Sequence, residues 1–116
     1  MKYKLEYSQI VRKKLKDLKE YLAEEYGEEF AKESVERITK RARDLQTHPL
    51  LGVGLAEKYG LDTDYRYLFV NHNYLFYYKE GNKIIVAEMF NEREDFMCKL
   101  FGISSRSDES IDYWGE

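Results

Sequence analysis

Cysteine occurs once in this chain, at Cys98, and proline once, at Pro49. A single thiol excludes an intramolecular disulfide and any cysteine-based zinc knuckle. Histidine occurs twice, at His48 before the proline and at His72 in a predicted turn. Neither has a second ligand type beside it in sequence, so each reads as a solvated turn residue, and no metal site is expected. No apolar run approaches the roughly 20 residues that a membrane helix needs. No basic-then-apolar leader opens the chain either, and the expectation is a soluble, cytoplasmic protein with no membrane partner. Charge of one sign is also lacking, because Lys+Arg 19 against Asp+Glu 22 gives a net charge of -3. A uniformly basic nucleic-acid coat is thereby excluded, and any anion site must be local.

What the chain has is apolar and aromatic material, 43% hydrophobic and 16% aromatic over 116 residues. That is enough for one core and too short for two. Lys2-Tyr3-Lys4-Leu5-Glu6-Tyr7 alternates charged with apolar residues, the period of a half-buried strand. Ser8 follows as a helix N-cap. Val11, Leu15, Leu18 and Leu22 then fall at helical spacing from Gln9 to Tyr26, and Gly27 breaks the helix. Ala31, Val35, Ile38, Ala42 and Leu45 repeat that spacing, which predicts a second helix from Glu28 to about Thr47, stopped by Pro49. The two form a helical hairpin.

Residues 48–64 carry Pro49, Gly52, Gly54 and Gly60 with little periodicity and read as a connecting loop with one short apolar turn. Gly52-Val53-Gly54 lacks the Lys-Ser/Thr ending of a phosphate loop. Asp62 and Asp64 read as turn-capping residues. Three aromatic and β-branched runs follow, Tyr65 to Val70, Tyr74 to Lys79 and Ile84 to Phe90, and they predict an antiparallel meander. Gly81-Asn82 suits the centre of a type II′ turn. Phe96, Met97, Leu100 and Phe101 predict a short final helix, with Cys98 as a small apolar filler on it.

The order implies an α+β fold, a two-layer sandwich of an N-terminal strand, a helical hairpin and a three-stranded antiparallel meander. With the hairpin on one face, the opposite face is expected to stand open, carrying part of the Tyr65 to Tyr78 aromatic set. One domain is expected over residues 1–103, with a Ser/Asp-rich tail over 104–116.

Charge along the hairpin marks a pole. Arg12, Lys13, Lys14 and Lys16 open the first helix, and Lys40, Arg41 and Arg43 close the second. Antiparallel packing brings these ends together, so Lys13, Lys14, Lys40 and Arg41 are the candidate phosphate or nucleic-acid contacts. The competing reading is a solvated face, with Glu33 to Arg37 and Glu36 to Lys40 as ordinary i,i+4 pairs. Arg66 and Arg93 stand at strand ends, where a guanidinium braces a phosphate or pairs with Asp64 or Asp95.

Taken together, the opening strand with Ser8, the two helices, Pro49 followed by glycines, Tyr65-Arg66 leading to Asn73-Tyr74-Leu75-Phe76-Tyr77-Tyr78, and Phe90-Asn91-Glu92-Arg93-Glu94-Asp95 resemble the RelE/ParE toxins of bacterial type II toxin-antitoxin modules, also called plasmid stabilisation proteins. The similarity spans Met1 to about Ile103 and implies the RelE-like fold. It further implies a toxin neutralised by a cognate antitoxin in a toxin-antitoxin hetero-oligomer. The target is either the ribosome with mRNA, cut without metal or cofactor, or DNA gyrase, inhibited without cleavage. Arg66 matches the family's arginine at the second strand, Arg93 one arginine of its terminal His-Gly-Arg-Arg-Asp-like segment, and Asp95 its acid.

Three positions depart: Asn91 replaces histidine, Glu92 glycine and Glu94 the second arginine. Metal-free RNA cleavage needs a proton moved and phosphate charge held in the transition state. Arg66 and Arg93 would hold charge, and with asparagine at 91 the proton falls to Tyr78, Tyr77 or a ribosomal group. The expectation is therefore a toxin acting as a ribosome-dependent mRNA endonuclease through Arg66, Arg93 and Tyr78. The alternative is a gyrase inhibitor or a decayed, inactive toxin.

Overall fold

The computed structural model describes residues 2–101, apart from the side chains of Met97, Cys98 and Phe101. The expected 104–116 tail, the boundary at 103 and the packing of Cys98 lie outside the described residues.

The first strand, β1 (Lys4–Tyr7), runs into α1 (Gln9–Tyr26) through a cap that ties both layers together. Ser8 Oγ accepts the Val11 N–H at 3.2 Å, as an N-cap does, and donates to the Ala87 carbonyl at 2.9 Å in the sheet. Gly27 adopts φ 100, a conformation that costs a side-chain-bearing residue, and so separates α1 from α2 (Glu28–Arg43) with no linker. The second helix ends at Arg43, earlier than its apolar spacing suggests. A 3-10 turn over Asp44–Gln46 replaces the last turn and still buries Leu45.

The segment read as a loop contains two small elements: β2 (Val53–Gly54) and α3 (Leu55–Tyr59). Then come β3 (Arg66–Val70), β4 (Asn73–Glu80), β5 (Lys83–Asn91) and α4 (Phe96–Phe101). Asn71 and His72 both take positive φ, 51 and 69, which fits a two-residue type I′ turn between β3 and β4. In the β4–β5 turn Gly81 has φ 62, as a type II′ turn requires at its first central position.

The meander is three strands of a five-stranded sheet ordered β1-β5-β4-β3-β2. It is mixed, because β1 pairs with β5 in parallel, Tyr7 opposite Val86, while all other pairs are antiparallel. A bulge interrupts β4–β5: Phe76 faces Glu88 and Tyr77 faces Val86, leaving Ala87 without an opposite residue. That extra residue shifts the facing of β5, so Ile84, Val86 and then Met89 all enter the same core.

That first core lies between hairpin and sheet, where Val11, Ile38, Ala42 and Leu45 meet Leu68, Leu75, Tyr77, Ile84, Val86 and Met89. The opposite face is not open, contrary to expectation. Leu55 of α3 is buried there with Tyr67, Phe76 and Phe90, and Leu61, Tyr65, Tyr74, Phe96 and Leu100 pack against them. Two short helices thus cover aromatic area that would otherwise face water. No helix among the described residues is long and apolar enough to cross a membrane.

Candidate functional site

Arg66 opens β3, in register with Tyr77 on one side and Gly54 on the other. Its guanidinium donates to the Gly52 carbonyl at 3.0 Å and to the Glu57 carboxylate at 2.9 Å. The partner is Glu57, nine residues upstream on α3, rather than Asp64. Beneath it, the Tyr77 hydroxyl accepts the Gly52 N–H and donates to the Pro49 carbonyl, both at 2.8 Å. Burial pushes the Tyr77 phenol up, and the Gly52 N–H and the Arg66 charge offset this only in part. The hydroxyl therefore stays protonated and able to donate at neutral pH.

Tyr78 follows on the opposite face of the sheet, half-buried, with its ring edge-on to Tyr65 at 5.8 Å. Arg66 and Tyr78 share a concavity of about 190 Å³ that Pro49 and Leu50 also line. Arg93 is elsewhere. Its neighbour Asn91 pairs with Asn73, which pairs with Val70 at the far end of β3 from Arg66. At about 3.3 Å per residue, the four steps from Arg66 to Val70 alone set the two arginines roughly 13 Å apart along the sheet. Arg93 sits in a turn closed by Asn91, whose Oδ1 accepts the Arg93 N–H at 3.0 Å while its own N–H goes to the Glu94 carboxylate at 2.8 Å. Two of the departing residues, Asn91 and Glu94, thus build this turn. Burial pushes the Glu94 carboxyl up, but the Asn91 N–H, the Lys99 contact and the Lys14 charge together hold it below the usual glutamate value.

Three of the four candidate cations of the basic pole, Lys13, Lys14 and Arg41, have partners within the chain. Lys13 pairs with Asp17 at 2.9 Å, which raises the lysine's pKa through that hydrogen bond and charge. Lys14 reaches the β5 edge just beyond the end of β1. There its ammonium donates to the Met89 carbonyl at 2.7 Å and lies 4.4 Å from the centre of the Phe90 ring. Arg41 pairs with Asp44 at 3.1 Å. Lys40 is exposed and makes no ion pair among the described residues; neither does Arg37, so the expected Glu36 to Lys40 and Glu33 to Arg37 pairs are not formed. His72 is exposed, with Nδ1 2.9 Å from a Glu92 carboxylate oxygen. No three His, Cys, Asp or Glu side chains among the described residues cluster to hold a metal.

Two features escape sequence reading. One is the Gly52–Tyr77–Arg66–Glu57 network, whose members lie in different elements. The other is a groove of about 540 Å³ between the Gly27 end of the hairpin and the turns at Asn71–His72 and Asn91–Arg93. Its signal in sequence was the cluster of large aromatics Tyr21, Tyr26 and Phe30 on either side of Gly27.

The family model for the ParE toxin of type II toxin-antitoxin systems, parDE, matches residues 5–96. The chain belongs to this family. It is the toxin component of such a module, and the matched span runs from β1 to the start of α4. A solved structure titled "Chromosomal ParDE TA system from P. aeruginosa" is similar in fold, with TM-score 0.65 and 16% identity over 77% of this chain and 95% of that one. No curated protein matches. As a ParE-family member, the chain keeps the hairpin-on-sheet arrangement described above, and its fold is the RelE/ParE fold expected from the sequence.

Proposed function

We propose that this toxin acts in the ParE manner, by binding and inhibiting DNA gyrase without cutting nucleic acid, and that a ParD-type antitoxin neutralises it. The observation that carries this reading is the separation of Arg66 from Arg93. Cleavage by preorganised charge requires donors aimed at one phosphate. Here Arg66 is engaged by Gly52 and Glu57, and Arg93 stands at the sheet's far end, away from the concavity that Arg66 shares with Tyr78. A binding inhibitor needs surface rather than such convergence. The family match to ParE rather than to a nuclease branch supports the same choice.

Purified protein assayed in a gyrase supercoiling reaction, beside ribosomes programmed with a defined mRNA, tests it. Loss of supercoiling with intact mRNA is the expected result. Cut mRNA with normal supercoiling would return the function to Arg66, Arg93 and Tyr78 as a ribosome-dependent endonuclease, and inactivity in both assays would mark a decayed toxin.

A further inference from the structure

At the Gly27 end of the hairpin, Tyr21, Tyr26 and Phe30 stand outside both cores, 55%, 63% and 45% exposed, and the Tyr26 and Phe30 rings lie 5.0 Å apart, centre to centre. Aromatic area grouped on one surface marks a place that something covers. The three side chains line the groove of about 540 Å³ that Arg37 borders from α2 and His72 and Arg93 border from the two turns. Glu92 is the only carboxylate among the described residues that line it, and it lies 2.9 Å from His72 Nδ1. Arg37 and Arg93 form no ion pair among the described residues. The groove thus offers apolar anchorage together with positive charge.

A segment of the same chain carries the complementary chemistry. Residues 102–116 follow α4, outside the described residues, and hold Asp108, Glu109, Asp112 and Glu116 against Arg106 as the one cation. Ile111, Tyr113 and Trp114 are interleaved with these acids. Carboxylates pair with guanidiniums and aromatic rings with aromatic rings, so this segment matches the groove on both counts. Reach is no obstacle. Arg93 borders the groove just before α4 begins, and α4 carries the chain only about 9 Å further. Beyond it, the chain from Gly102 to Glu116 spans up to roughly 50 Å when extended. Tethering also sets the concentration of the segment at the groove on the order of millimolar, so contacts of modest affinity suffice to keep it docked. The second face is a poorer seat. Tyr59 and Phe69 are exposed there, but Arg66 is engaged by Gly52 and Glu57, and the Lys58 ammonium donates to the Tyr67 hydroxyl.

We infer that the chain's own segment 108–116 docks in this groove in cis, with Tyr113 and Trp114 against Tyr21, Tyr26 and Phe30 and its acids beside Arg37 and Arg93. The segment then covers aromatic area that would otherwise face water, and a partner that uses these aromatics has to displace it. The inference concerns the chain alone and is independent of which target the toxin inhibits.

Trp114 is the chain's single tryptophan, so its fluorescence reports the segment without labelling. In the full chain its emission should be blue-shifted and shielded from acrylamide, to a degree independent of protein concentration. A Tyr26→Ala/Phe30→Ala double variant should stay folded by circular dichroism, since both side chains are exposed, and should move Trp114 to the emission of tryptophan in water. Arg37→Glu and Arg93→Glu should each lower the docked-to-free ratio about tenfold, and added salt should weaken docking more in the parent than in either variant. Lys32→Glu, outside the groove, should change nothing. A water-like Trp114 in the parent would overturn the inference. So would a shielded Trp114 that stays shielded in the folded double variant; if Phe69→Ala exposes it instead, the segment lies on the second face. Shielding that disappears on dilution would mean that the segment of a second copy fills the groove, which overturns docking in cis.

Discussion

The Tyr77 hydroxyl holds the loop before β2 by both ends, accepting from the Gly52 N–H and donating to the Pro49 carbonyl at 2.8 Å each. Approach is so close that a Cβ at position 52 would lie 2.5 Å from the Tyr67 carbonyl oxygen and 2.7 Å from that hydroxyl. Glycine is required there by space. The loop in turn supplies the Gly52 carbonyl to Arg66, so a buried phenol, a glycine and a guanidinium form one unit that fixes β2 and α3 to the sheet.

Tyr77→Phe keeps the ring in the core and strands one buried donor and one acceptor, an expected loss of about 1–3 kcal/mol. Gly52→Ala should cost at least as much, because the nearest obstacle is backbone. Chemical denaturation of both variants measures this, and if Tyr77→Phe were neutral, water would have to replace the hydroxyl in its site.

Arg66→Ala should lower stability by about 1–3 kcal/mol, mainly through the charge-assisted bond to the Gly52 carbonyl. The Glu57 contact contributes little, because that carboxylate is 71% exposed and screened by solvent. Glu57→Gln is therefore expected within about 0.5 kcal/mol of the parent. Gyrase inhibition per mole of folded Arg66→Ala should match the parent; a folded variant that has lost a cleavage activity would show Arg66 to be a phosphate ligand after all.

Lys14 was a candidate phosphate contact from its place in a run of cations. Its ammonium satisfies the Met89 carbonyl on the β5 edge that β1 leaves uncovered, over the Phe90 ring. A lysine there also guards an open edge against pairing with another chain. Lys14→Met should cost about 1 kcal/mol and raise the tendency to aggregate, with no change in the salt dependence of any nucleic-acid binding. Thermal melts at increasing protein concentration separate these effects from those of Lys13→Met, which removes only an exposed i,i+4 pair.

Periodicity made the hairpin legible to the residue at Gln9, Tyr26 and Glu28, because each boundary coincides with a cap or a glycine. The strands of the meander were legible for the same reason. The parallel pairing of β1 with β5 was not, since it joins residues 79 apart and leaves no local mark. Nor was the covering of the second face: α3 has five residues, too few for a periodic signal, and Leu55 looks like loop material until Tyr67 and Phe76 are seen against it. The relative placement of Arg66 and Arg93 was not legible either, because residue type carries no distance, and the register of β3 on β4 sets them at opposite ends of the sheet.

Glu94 offers a pH test of the turn that holds Arg93. Burial raises its pKa, but the Asn91 N–H at 2.8 Å and Lys99 at 2.9 Å outweigh this, so the folded value lies below the unfolded value of about 4.3. A carboxylate depressed in this way contributes its stability in full above the unfolded pKa, and that contribution is lost as pH falls through the folded pKa. Stability measured from pH 6 downward should therefore decline more steeply in the parent than in Glu94→Gln. At pH 7 the variant should be the less stable of the two, because its neutral amide is a weaker acceptor for Asn91 and no partner for the Lys99 charge. The two curves should converge once the pH has fallen below the folded pKa of Glu94. Parallel curves across that range would mean that the carboxylate gains nothing on folding, and the turn that carries Arg93 would then be held by the Asn91 side chain and the backbone bond from the Glu94 N–H to the Asn91 carbonyl.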